Sequence, residues 1–153
     1  MTGESVFRVD ASKRSAGISP SGIMEVFEKA QRMTGLIRFE LGEPDFDTPS
    51  HIRDAAKKAL DSGFTHYTSS RGLLELRREI ARKLDEDNGI VASPDSEIVV
   101  TAGACSAVYL AMLALVNPGD EVLLPDPAWP AYEPCARLAE ASVVHYPMRE
   151  EDN

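Results

Sequence analysis

Gly103, Ala104 and Cys105 are small residues set between a β-branched run, Ile98-Val99-Val100-Thr101, and a stretch rich in Ala, Leu and Met that reaches Val116. That succession predicts a buried strand, a turn of small residues at 102–104 and the start of a helix. Such a junction can collect an anion, because unpaired N–H groups and the positive end of the helix dipole meet at one spot. A buried strand–helix unit with no ligand has the same pattern, and these residues alone leave both readings open. A second loop, Pro125–Trp129, carries the chain's only Trp, with Tyr132 one helical turn later. In a parallel α/β sheet both loops lie beyond the carboxyl ends of strands, where ligands bind. An anion cradle beside an aromatic plate suits a flat, phosphorylated aromatic ligand. Its phosphate would take the N–H groups of Ala104 and Cys105, and its ring would stack on Trp129. A packing role for Trp129 fits the spacing equally well. Cys105 is either a reactive thiol at a helix N-terminus or simply a small helix-start residue.

The elements that must position these residues follow from periodicity and punctuation. Asn117-Pro118-Gly119 stops the helix that starts near Ala104. Glu121–Leu124 and Ser142–Tyr146 are expected as strands, with a helix over Trp129–Glu140 between them. From Glu97 onward the order is β-α-β-α-β, which implies parallel strands joined by right-handed crossovers. Upstream, residues 1–18 form a polar lead-in without a period. Ser19-Pro20-Ser21 opens a helix with Ile23, Phe27, Ala30 and Met33 on one face and Gly35 as its cap. Leu36–Leu41 has the pattern of a strand running into a loop at Gly42–Phe46. Thr48-Pro49 starts a helix with an apolar stripe of Ile52, Ala55, Ala56, Ala59 and Leu60. An aromatic and hydroxyl-rich loop, Phe64–Gly72, leads to another helix. There Leu73, Leu76, Ile80 and Leu84 are expected to face inward, and Arg77, Arg78, Arg82 and Lys83 outward.

Composition narrows the partners. The 153 residues carry a net charge of −9 and no basic cluster, which argues against nucleic acid and against an anionic membrane surface. Ile98–Val116 lacks charge, yet its strand-like first part, internal Gly103 and flanking Glu97 and Asp120 argue against a membrane span. Cys105 and Cys135 do not make a disulfide framework. With no signal-peptide pattern at the N-terminus, a reduced, cytoplasmic setting is expected.

Four segments together resemble a known family: LGEPDFDTP at 41–49, HYTSSRGLLELR at 66–77, IVVTAGACSA at 98–107 and NPGDEVLLPDPAWPAY at 117–132. They are similar, in order and spacing, to the class I/II aminotransferases, pyridoxal-phosphate enzymes of fold type I, nearest the aspartate-aminotransferase-like branch. The resemblance implies an α/β fold, with a three-layer α/β/α large domain on a mainly parallel sheet and the first elements of a small domain. Residues 1–47 would supply an arm and small-domain elements, and 48–153 the first part of the cofactor-binding large domain. In that family the strand matching Ile98–Thr101 lies apart from those matching Glu121–Leu124 and Ser142–Tyr146, with later strands filling the gap.

Carried over by position, the resemblance places Gly42 near the substrate carboxylate. It places Gly103, Ala104 and Cys105 around the cofactor phosphate, and Trp129 on the pyridine ring with Tyr132 close by. Tyr67 would reach the cofactor phosphate of the neighbouring subunit in a homodimer. Many relatives have a hydroxyl or a lysine where Cys105 stands, so a side-chain phosphate contact is lost there while backbone donors remain. Lys13, Lys29, Lys57, Lys58 and Lys83 do not match the family's Schiff-base lysine motif, so no catalytic residue is assigned. The expectation is the N-terminal part of an aminotransferase that exchanges an amino group between an amino acid and a 2-oxo acid, inactive by itself. The alternatives are a pyridoxal-phosphate-dependent lyase or synthase of the same fold, and a non-catalytic α/β phosphate-binding module.

Overall fold

Among the described residues, two apolar runs separated by a short helix pair into a two-stranded sheet. In the computed structural model, which describes residues 10–152, the elements in chain order are α1 (Lys13–Ala16), α2 (Gly22–Gln31), α3 (Ser50–Asp61), α4 (Leu74–Asn88), α5 (Gly103–Leu115), β1 (Glu121–Asp126), α6 (Tyr132–Leu138) and β2 (Ser142–Pro147). A short 3-10 turn covers Glu150–Asp152. Strands β1 and β2 pair in parallel, from Glu121 opposite Ser142 to Asp126 opposite Pro147. Parallel neighbours need a crossover, and α6 supplies it and packs on both strands. Both strands run past their expected ends, to Asp126 and Pro147.

Residues 10–41 with 105–152 form one compact unit, and Gly42–Ala104 forms a second. In the first, Leu124 of β1 is buried with Cys135, Ala136 and Ala139 of and just after α6. Small side chains on that helix let it approach the sheet closely. The turn into β1 is fixed by Asp120, whose carboxylate accepts from the backbone and the side-chain amide of Asn117 at 2.8 and 3.0 Å. Those two bonds hold the Asp120 carboxyl below its usual range. The face expected of α2 is present, with Ile23, Phe27 and Ala30 half-buried, although the helix ends at Gln31 and Met33 is exposed. The described part of the lead-in, from residue 10, contains a helical turn, α1, capped by the Ser12 side chain, which the sequence pattern does not suggest.

In the second unit, α4 runs from Leu74 and ends at Gly89 in a left-handed cap. Its inward face is Leu74, Arg77, Ile80, Ala81 and Leu84 rather than the expected Leu73, Leu76, Ile80 and Leu84. Arg77, expected to face outward, is only 7% exposed. Carbonyl oxygens waiting beneath α4 explain the difference: the Arg77 guanidinium donates to Gly72 and Pro94.

Two expected strands are absent. Ile98–Thr101 forms no ladder; the Val100 N–H donates to the Arg71 carbonyl in a turn, at 3.0 Å. Leu36–Leu41 is irregular as well. There Arg38 pairs with Glu40 and sits over the Phe27 ring, 4.8 Å from its centroid, while Ile37 and Phe39 are 85% and 88% exposed. β-Branched and aromatic composition favours a pleated surface only when a neighbouring strand supplies the pairing. Among the described residues no helix is long and apolar enough to cross a membrane.

Candidate functional site

The turn at Thr101–Cys105 that leads into α5 is shaped by two local bonds. The Gly103 N–H donates to the Thr101 carbonyl at 2.9 Å, and the Thr101 hydroxyl donates to the Gly103 carbonyl at 3.0 Å. Gly103 takes φ +82°, a backbone that side chains rarely tolerate, and a Cβ built there would meet nothing within 4 Å. Gly103, Ala104 and Cys105 are all exposed and are the first three residues of α5. The first turn of a helix presents N–H groups that lack an intrahelical acceptor, and a 13-residue helix adds its dipole. The start of α5 is exposed, and no atom lies within 4 Å of where a Cβ at Gly103 would stand. It can hold a phosphate.

Trp129 lies just past the carboxyl end of β1 and is 42% exposed. It meets Tyr132 edge-to-face, with ring centroids 5.3 Å apart and planes at 79°. The loop that carries it opens a cavity of about 180 Å³, lined by Leu124, Asp126, Ala128, Trp129, Glu133 and His145 among others. His145 Nε2 stands 3.6 Å from Glu133, which also accepts from Arg137 at 2.8 Å. Glu133 and Arg137 reappear on the wall of a larger hollow, about 510 Å³, with the Gly17–Gly22 segment opposite. The buried Cys135 thiol is pushed up by desolvation, which makes it a packing group rather than a nucleophile.

Of the expected site residues, Gly103, Ala104 and Cys105 form one turn, and Trp129 and Tyr132 form one aromatic pair. Gly42 and Tyr67 lie in exposed loops of the Gly42–Ala104 unit. Sequence reasoning misses Glu133, Arg137 and His145 as neighbours of the aromatic pair. Glu133 and Arg137 at helical i, i+4 spacing are a visible signal, whereas His145 joins them only through the packing of α6 on β2. Three of the lysines stand paired on helices: Lys29 bonds Glu25, Lys57 bonds Asp54, and Lys83 bonds Asn88. None of the five lysines lines either cavity.

Comparison with known proteins bears directly on this arrangement. The profile of the aminotransferase class I and II family matches residues 34–153. The chain is 46% identical over 136 residues to an aspartate aminotransferase of Pyrococcus horikoshii, covering 89% of this chain and 34% of that protein. It is 40% identical over 141 residues to aromatic-amino-acid aminotransferase 2 of Thermococcus litoralis, covering 92% and 36%. Among solved structures, the alanine aminotransferase of Pyrococcus furiosus superposes with a TM-score of 0.83 at 34% identity, covering 94% of this chain and 38% of that one. The chain spans about a third of the length of the relatives it matches.

Proposed function

The chain belongs to the class I and II aminotransferases, and from that membership we propose that it carries the phosphate-and-ring half of a pyridoxal-phosphate site in an enzyme that transfers amino groups. Homologues in this family depend on pyridoxal phosphate. The residues present fit that group. An exposed helix start opened by a glycine at φ +82° leaves room for a phosphate. A half-exposed indole beside a cavity leaves room for a ring. The observation that carries the reading is the first of these, the glycine-opened N-terminus of α5.

In this reading the backbone N–H groups of Ala104 and Cys105 bind the phosphate, and the helix dipole favours its charge. Cys105 contributes a backbone donor and no charged side chain. Trp129 fixes the plane of the pyridine ring, with Tyr132 bracing the indole from the side. Gly42 gives the substrate carboxylate access to the backbone. Tyr67 reaches the cofactor phosphate of the second subunit in a homodimer. The cofactor, when bound, supplies the electron sink for carbon–hydrogen bond cleavage at an amino acid. Residues 1–47 serve as an arm and small-domain elements, and 48–153 as part of the cofactor domain. The substrates are an amino acid and a 2-oxo acid, and the setting is cytoplasmic amino-acid metabolism, including biosynthesis.

The test is spectroscopic and chemical. Pyridoxal phosphate added to the cofactor-free intact protein that carries this chain should give a saturable, protein-dependent visible band. An amino acid and a 2-oxo acid should then exchange the amino group. A titration with no saturable band rejects the cofactor site. A band with an amino acid converted but no amino group transferred assigns a lyase or synthase instead.

A further inference from the structure

Among the described residues Arg77 is the one buried charged side chain, and the partners it bonds are carbonyl oxygens. Its Nε donates to Gly72 at 3.3 Å and its Nη1 to Pro94. An apolar side chain would fill the same space under α4 without the desolvation cost of a guanidinium. What it could not do is hold two loops in register, which the rigid fork of an arginine does.

Those two loops lead to the site. Gly72 closes the Ser69–Gly72 turn, its N–H donating to the Ser69 carbonyl at 2.8 Å. The turn lies directly on Val100: the Val100 N–H donates to the Arg71 carbonyl, and a Cβ at Gly72 would stand 2.7 Å from Val100 Cβ and Cγ2. With φ at +91°, Gly72 is bare for reasons of both backbone and space. Arg71 ties the same turn to the carbonyl of Asp95. Tyr67 precedes this turn by two residues, and Gly103 follows Val100 by three. One latch therefore spaces the tyrosine loop from the phosphate turn, and both ends belong to the Gly42–Ala104 unit.

We propose that Arg77 is a positioning residue of the cofactor site. By pinning Gly72 and Pro94 it seats the Ser69–Gly72 turn on Val100, and so holds Tyr67 and the Gly103 turn at a fixed spacing. This rests on the cofactor reading above, in which both ends of the latch contact a phosphate. In a dimer the latch serves two sites at once, its own subunit's through Gly103 and the neighbour's through Tyr67.

A double-mutant cycle on cofactor binding tests it in the intact protein, with pyridoxal phosphate titrated into the parent, Tyr67→Phe, Arg77→Lys and the double variant. Tyr67→Phe should weaken binding about tenfold in the parent, the loss of one hydrogen bond to a charged group, and less than about threefold in Arg77→Lys. In the cofactor-free state, hydrogen exchange at the Val100 amide should rise in Arg77→Lys while the β1–β2 ladder amides keep theirs. If Arg77→Lys does not fold, Gly72→Ala displaces the same turn from its other side and takes its place in the cycle. An equal Tyr67→Phe effect in both backgrounds overturns the inference, even if the melting temperature falls. So does unchanged exchange at Val100. A parent that binds no cofactor overturns the cofactor reading and the inference together, and a parent that binds without coupling overturns the inference alone.

Discussion

At Gly103 the backbone runs at φ +82° with no atom within 4 Å of the place a Cβ would take. Crowding within the chain therefore does not explain the glycine; conformation does. A left-handed residue costs about 1–2 kcal/mol once a Cβ is present. Gly103→Ala should accordingly weaken cofactor binding about five- to thirtyfold, and Gly103→Val should weaken it further, because a β-branched residue tolerates a left-handed backbone still less. Equilibrium titration checks both, and a Gly103→Ala variant that binds the cofactor as the parent does would contradict the conformational explanation. Trp129→Ala should lose a stacking contact of about 1 kcal/mol, several-fold in affinity, and change the bound cofactor's absorbance and circular dichroism. Trp129→Phe should keep most of both. An unchanged spectrum in Trp129→Ala makes the indole a packing group. Gly103 and Trp129 are legible in the amino-acid sequence, because a turn after a β-branched run and a lone Trp after a second run mark sheet-edge loops. Arg77 is not. It stands in LELRREIARK, where every neighbouring charge belongs to a solvated helix face, and its reason for being buried lies in the carbonyls of Gly72 and Pro94.

Helices are readable from the sequence because their bonds are internal. The starts of α3 and α4 and the end of α5 before Asn117 all fall within a few residues of the expected places. Strands are readable only when the partner is in hand. Glu121–Asp126 and Ser142–Pro147 pair with each other, while the equally β-prone Ile98–Thr101 and Leu36–Leu41 pair with no strand among the described residues and stay irregular. The connection from α5 to β1 gives a prediction at this scale. Asp120 is held below its ordinary value by two bonds from Asn117, the backbone one leading. A carboxyl depressed by folding adds stability above its unfolded value, about 3.9, and loses it as pH falls through the lower folded value. Exchange at the Asn117 amide should therefore be slower in the parent than in Asp120→Ala at neutral pH. The two should converge only in acid below the ordinary aspartate range. A difference that persists in acid would mean that the bond survives protonation.

Over the whole molecule the balance of surface is unusual. Among the described residues the buried apolar side chains are Ile98, Leu124, Cys135, Ala136 and Ala139, and no large side chain is fully buried. Leu110, Leu113 and Leu115 of the charge-free α5 stand exposed, as do Ile52 and Leu60 of α3. Exposed apolar side chains in such number promote association, and β1 and β2 each keep an unpaired edge among the described residues. Residues 1–153 expressed alone should therefore aggregate or melt without a sharp transition and show no amino-group exchange. A cooperative calorimetric transition at low concentration would refute the first part, and measurable exchange the second. Whether the glycine-opened start of α5 holds a cofactor phosphate is tested most directly by a comparison of ligands. Pyridoxal phosphate and unphosphorylated pyridoxal are titrated into the intact parent protein and its Gly103→Ala variant. The phosphate should improve binding by at least about a hundredfold in the parent, and that advantage should shrink about tenfold in Gly103→Ala. Equal affinity for the two ligands in the parent, or the same ratio in both proteins, would contradict it.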